Sequence, residues 1–174
     1  MKTRFFLYNE HMKYVTYYES PLGTIKMISD GEYLIELSFD KKCSKEYIRK
    51  DLKIFDQTKK WLNIYFSGDI PDFTPEYRLE GTDFRKQVWK YIEKIKYGES
   101  ISYKEIADKI AKKRGIDKMS AQAVGNAVGH NPICLIVPCH RVIGTDRSLV
   151  GYGPGLNRKR KLLDLEGIVY KKTR

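Results

Sequence analysis

Nine residues, Ser67-Gly68-Asp69-Ile70-Pro71-Asp72-Phe73-Thr74-Pro75, constrain this chain more than any others, because two prolines and a glycine stop a regular element from running through them. The 174-residue chain is long enough for one large domain or two small ones, and the break is read as a linker between two parts. Its charge divides at the same place. Residues 1–80 carry 13 Lys+Arg and 13 Asp+Glu, and residues 81–174 carry 20 and 9, so the second part holds the whole excess of +11. We expect two domains, 1–76 and 77–174. The basic one is suited to a polyanion, and nucleic acid is the commonest soluble one.

Before the break, residues 14–39 alternate and are β-rich, with Pro21-Leu22-Gly23 and Asp30-Gly31 as turns, which predicts three strands in a small antiparallel meander. Residues 44–55 and 57–66 read as two helices, the second with Trp61, Leu62, Tyr65 and Phe66 at helical spacing. After the break, Phe84, Val88, Tyr91, Ile92 and Ile95 keep a 3.6-residue period, predicting a helix that ends near Gly98. Ser102-Tyr103-Lys104-Glu105 is a capping-box pattern and opens another. A further helix begins near Ser120, so the pair reads as a helix-turn-helix with a long turn. The fold class is α+β, a sheet with helices followed by a mostly helical domain.

The second helix of that pair, Ala121-Gln122-Ala123-Val124-Gly125-Asn126-Ala127-Val128, is poor in side chains that read base edges. Gln122 and Asn126 are its only amides. Small residues allow close backbone approach, which suits a shallow, sequence-tolerant seat in a minor groove, or simply the packing of two helices.

Phe5-Phe6-Leu7-Tyr8 is too short for a signal-peptide core or a membrane span, so a cytoplasmic protein is expected. Cys43, Cys134 and Cys139 are odd in number and irregularly spaced, which argues against a disulfide framework and fits a reducing compartment. Residues 1–80 offer only His11 and Cys43 as soft ligands, too few for structural zinc, and no metal is expected.

The chemistry concentrates in Val137-Pro138-Cys139-His140-Arg141-Val142, where a thiol and an imidazole follow the apolar run Ile133-Cys134-Leu135-Ile136. Thiolate is the reactive form of cysteine, and a neighbouring imidazole raises its population. Taken with Ile101-Ser102-Tyr103, Ala123-Val124-Gly125-Asn126-Ala127, Asn131-Pro132, Gly151-Tyr152-Gly153-Pro154-Gly155-Leu156, Lys159 and Leu163-Asp164-Leu165-Glu166-Gly167, the ordered set resembles the O6-alkylguanine-DNA alkyltransferases. The resemblance runs from about Phe84 to Gly167. Residues 1–80 match only in layout, as a ribonuclease-H-like sheet domain.

The resemblance implies irreversible transfer of an alkyl group from O6 of guanine, less readily O4 of thymine, to the protein's own cysteine, once per molecule and without a cofactor. Cys139 would be the acceptor and His140 its base through a water. Glu166 would orient the imidazole, and Asn131 would hold the turn. The flipped base would be received by Tyr103, Val142, Tyr152, Gly153, Pro154, Gly155 and Lys159. Ser102, Tyr103, Ser120, Gln122, Ala123, Gly125, Asn126 and Arg141 would face double-stranded DNA. Many relatives carry arginine where Gln122 stands, so weaker DNA affinity is expected here. A single asymmetric lesion as target suggests a monomer. The rival readings are a DNA-binding module without catalysis, which retention of Cys139 disfavours, and a cysteine hydrolase, for which neither His11 nor His130 is suitably placed.

Overall fold

The computed structural model describes residues 12–39 and 47–172, which fall into two compact units dividing between Leu79 and Glu80. In the first, β1 (Tyr14–Ser20), β2 (Gly23–Ser29) and β3 (Leu34–Ser38) form the antiparallel meander, and β4 (Ile48–Arg49) joins β1 in parallel, giving the order β3-β2-β1-β4. The turns work as their residues dictate: Ser20 Oγ accepts from Leu22 N at 3.1 Å, and Asp30 Oδ1 accepts from Glu32 N and Tyr33 N at 3.0 and 2.8 Å. Helix α1 (Lys53–Phe66) buries Ile54, Phe55, Thr58, Trp61, Leu62 and Tyr65, a single helical stripe.

Two helices over 44–55 and 57–66 are thus corrected to a strand and one helix. Ile48 N bonds to Lys13 O at 2.9 Å, which recruits that stretch to the sheet edge, and the apolar stripe of α1 runs unbroken past Asp56. Residues 40–46 lie outside the described residues. After the breaker segment the chain returns to β3, where Leu34 N bonds to Glu76 O at 3.0 Å and Arg78 N to Leu34 O at 2.9 Å. Tyr77 and Arg78 therefore stay with the first unit.

In the second unit, α2 (Asp83–Ile92), α3 (Tyr103–Arg114) and α4 (Ala121–Gly129) pack together, the short strands β5 (Ile101–Ser102) and β6 (Val142–Ile143) pair in parallel, and α5 (Leu156–Leu165) follows. Thr82, Ser102 and Ser120 cap the three packed helices through their hydroxyls, and Ser102 with Glu105 completes the capping box. Gly115, at φ +65°, ends α3 and leads to the long turn of the helix-turn-helix. Trp89 Nε1 donates to Ala127 O at 2.8 Å and locks α2 to α4. Gly81 makes room for the same ring, since a Cβ there would sit 2.6 Å from it.

Helix α2 stops at Ile92, short of the expected Gly98. The chain tightens into turns, Ile95 N to Ile92 O at 3.0 Å and Glu99 N to Lys96 O at 3.1 Å, while Ile95 stays buried and keeps the periodicity alive. Ser102→Ala removes the hydroxyl that accepts from Glu105 N and leaves the bond from Ser102 N to Glu105 Oε2 in place. It is expected to cost about 1 kcal/mol, read as a lower thermal or urea midpoint; an unchanged midpoint would show the box to be idle.

Candidate active site

The approach to Cys139 is built from two three-residue turns. Ile136 N bonds to Cys134 O at 2.9 Å across Leu135, held at φ +71°, a conformation that costs a non-glycine residue about 1 kcal/mol. Cys139 N bonds to Val137 O at 2.8 Å across Pro138, whose φ −82° and ψ 66° are those of an inverse γ-turn. Proline needs no amide partner there. A short 3₁₀ turn, Cys139–Arg141, then delivers the motif to β6.

Asn131 fastens this loop to itself. Its Nδ2 donates to Val137 O at 2.7 Å and its Oδ1 accepts from Ile133 N at 3.0 Å, so one amide spans the turn that carries the thiol. Cys139 is 5% exposed and opens onto a cavity of about 730 Å³. The cavity is walled by Tyr103 of α3, by Gln122, Gly125 and Asn126 of α4, and by the loop Val150–Pro154. Cys134, five residues earlier, lines the same cavity. Its thiol leads the causes that hold the Cys139 thiol below its ordinary pKa. Burial opposes it, and the Asn131 amide, the charge of Lys159 and the Cys139 backbone amide add to it.

An ionic cluster follows the thiol in the chain. His140 Nε2 stands 2.7 Å from Glu166 Oε1, both side chains wholly buried. Arg141 Nε donates to Glu166 Oε2 at 2.7 Å and its NH1 to Ile95 O at 2.6 Å, while Gly98 N donates to Glu166 Oε2 at 3.4 Å. Burial pushes the Glu166 carboxyl up, but the hydrogen bonds and charges of His140 and Arg141 prevail and hold it at about 2. As a carboxylate Glu166 only accepts, so His140 Nε2 carries the proton and the other ring nitrogen, Nδ1, is the basic one. Burial, more than Glu166 restores, pushes the imidazole below its ordinary pKa, so His140 is neutral at pH 7 and fit to take a proton.

Lys159 is fully buried. Its Nζ donates to Val142 O at 2.6 Å, Val150 O at 3.0 Å and Gly151 O at 3.2 Å, and lies 3.4 Å from Tyr103 OH. Three carbonyls match the three N–H arms of an ammonium. Burial lowers its pKa to about 8, the Cys139 charge pulling the other way. Tyr103, pushed up to about 12 chiefly by burial, donates its hydroxyl to Val150 O at 2.8 Å.

The structure thus brings Cys139, Asn131, Tyr103, Tyr152, Gly153 and Pro154 to one cavity, with Gln122, Gly125 and Asn126 on its α4 wall. Ser120 and Ala123 lie with Gln122 and Asn126 along a shallower groove beside α2. Val142 and Lys159 act one layer back, and Gly155, at φ +102°, is the N-cap of α5. Two residues expected to face DNA do not. Arg141 is 8% exposed and spent on Glu166 and Ile95, and Ser102 is 5% exposed with its hydroxyl committed to the cap. Cys134 was missed as a site residue because it reads as one more apolar position in Ile133–Val137. Its signal was a second thiol five residues ahead of the first. His11 and Cys43, considered as zinc ligands, lie outside the described residues; among the described residues no three His, Cys, Asp or Glu side chains cluster as metal ligands.

A helix-turn-helix beside a buried thiol, with an imidazole–carboxylate pair next to it in the chain, joins an architecture common in DNA-binding domains to the groups of cysteine-based nucleophilic chemistry. Residues 83–168 match the DNA-binding domain of 6-O-methylguanine DNA methyltransferase, and residues 13–77 match the ribonuclease-like domain of the same protein. The methylated-DNA–protein-cysteine methyltransferase of Mycobacterium tuberculosis is 44% identical over 85% of this chain and 88% of its own. That of Haemophilus influenzae is 39% identical over 90% and 88%. A crystal structure of Mycobacterium tuberculosis OGT in complex with DNA aligns with TM-score 0.76 and 43% identity over 89% of this chain and 92% of that one. The chain belongs to the 6-O-methylguanine DNA methyltransferase family, and it is a DNA repair enzyme of the alkyl-transferring kind. No helix among the described residues is long and apolar enough to cross a membrane.

Proposed function

We propose that Cys139 is the alkyl acceptor for O6-alkylguanine, and less readily O4-alkylthymine, in duplex DNA. His140 Nδ1 draws the thiol proton through a bridging water, and Glu166 keeps the imidazole in the right tautomer. The thiolate attacks the alkyl carbon; the S–C bond forms, the C–O6 bond breaks, and its electron pair stays on the base, which takes up a proton from water as His140 gives back the one it drew from the thiol. The thioether has no hydrolysable bond, so each molecule acts once. The observation that carries this reading is the buried Cys139 thiol opening on the cavity, next in the chain to His140 with its 2.7 Å contact to Glu166.

The target base must leave the duplex to reach that cavity, at a cost of a few kcal/mol that a weakened pair reduces. Tyr103, Tyr152, Gly153 and Pro154 would enclose it, with Lys159 holding the loop through the Val150 and Gly151 carbonyls. Gln122 borders both the cavity and the groove beside α2, which suits a residue that fills the gap left by the base. Ser120, Ala123, Gly125 and Asn126 would seat the backbone, without reading sequence. The protein would act as a monomer in the cytoplasm.

Intact mass after mixing with duplex DNA carrying one O6-methylguanine tests this. One methyl group per chain, mapped to Cys139, is expected; lesion binding with no mass change would mean a recognition module. Gln122→Arg adds a cation at the duplex. It is expected to tighten duplex binding several-fold and to steepen the salt dependence by about one phosphate contact. Equal affinity and equal slope would show that Gln122 stays outside the DNA.

A further inference from the structure

Building on the reading of Cys139 as acceptor, we infer that Cys134 is a positioning residue of the transfer, its thiol donating a hydrogen bond to the acceptor sulfur and trading nucleophilic strength for thiolate supply. Three observations meet here. Both thiols are buried and line one cavity. Both are carried by one short loop in which Asn131 ties residues 131, 133 and 137 together. And Leu135, next to Cys134, is held at φ +71°, a conformation that persists only where its surroundings enforce it.

The sulfur is negative before the reaction and neutral after it, because its charge passes to the departing guanine. A donor on the thiolate therefore favours the ground state more than the transition state. It raises the thiolate fraction near neutrality and lowers the reactivity of each thiolate, in the proportion by which nucleophilicity follows basicity. The other groups that act on this sulfur are not altered when Cys134 is changed: the Asn131 amide, Lys159 from α5 and Tyr103 from α3, and the His140, Glu166 and Arg141 cluster that follows it in the chain is kept as well. A shift on changing Cys134 thus belongs to Cys134.

The test is a pair of variants whose side-chain volumes bracket that of cysteine. Cys134→Val removes the donor and Cys134→Ser keeps one. Single-turnover methyl transfer to Cys139 from O6-methylguanine DNA is followed against pH. In parallel, iodoacetamide labelling of the Cys139 peptide is followed without DNA. For Cys134→Val, the midpoint of both profiles is expected to rise by about one unit. The alkaline limit should then rise about threefold and the rate below the midpoint fall about threefold. Cys134→Ser should keep the parental midpoint. A packing defect would lower the limit and leave the midpoint alone, and that result overturns the inference, as does Cys134→Ser moving with Cys134→Val. Failure of the parent to take methyl from DNA would refute the acceptor reading instead, while the iodoacetamide profiles would still decide the role of Cys134.

Discussion

A Cys139→Ser chain is expected to keep its mass unchanged in the presence of O6-methylguanine duplex, with transfer lower by about four orders of magnitude or more, while still binding that duplex. The exchange replaces one small atom at a site that is 5% exposed, so the loop held by Asn131 and the γ-turn at Pro138 should persist. What is lost is the nucleophile. Every device around Cys139 acts on a thiolate: the Cys134 thiol, the Asn131 amide and the charge of Lys159 stabilise negative sulfur. A serine hydroxyl gives them nothing comparable to stabilise at neutral pH. Mass spectrometry reads the transfer and gel shift reads the binding. Methyl gain at another residue of Cys139→Ser would move the acceptor elsewhere and undo the mechanism proposed above.

Glu166→Gln is expected to have the next largest effect, and on stability as well as chemistry. Arg141 and His140 are buried around that carboxylate, and removing its charge strands the guanidinium. The folded carboxyl sits at about 2 against an ordinary 4.5, a difference worth about 3 kcal/mol. A carboxyl whose folded pKa lies below its unfolded one stabilises fully above the unfolded value and loses that contribution as pH falls towards the folded one. The gap between parent and variant should accordingly be widest above pH 4.5 and close towards pH 2. Urea titrations along a descending pH series read it directly. A gap that does not change with pH would mean that the glutamate contributes shape alone. Transfer by Glu166→Gln should also slow by about 100-fold or more, because the imidazole loses the anion that stabilises it once it takes the proton.

The parts of this site that the sequence made legible are local. The caps at Ser102 and Ser120, the helix-turn-helix and the thiol beside an imidazole are short-range patterns whose physics lies within a few residues. The second half of the α1 stripe, Trp61, Leu62 and Tyr65, was legible too, but its first turn and the parallel edge strand β4 were not, because two residues at a sheet edge leave no period to read. Arg141 shows the limit most clearly. A basic residue in a basic domain suggests phosphate, and only the fold reveals a carboxylate 25 positions later and a carbonyl 46 positions earlier that claim it. The Lys159 cage is hidden for the same reason: its acceptors are backbone carbonyls, which no side-chain pattern announces.

Helix α5 holds its site charges against its own dipole. Arg158, Lys159, Arg160 and Lys161 crowd its positive end, Asp164 and Glu166 its negative end, and its N-cap, Gly155, offers no side-chain acceptor. Ten residues so arranged have little reason to be helical alone. The helix exists because Leu162 and Leu163 are buried and because Lys159 and Glu166 find partners off its axis. The segment that electrifies the active site is therefore one whose own conformation is on loan from it, and its amides should be among the first to exchange with solvent when those partners are lost.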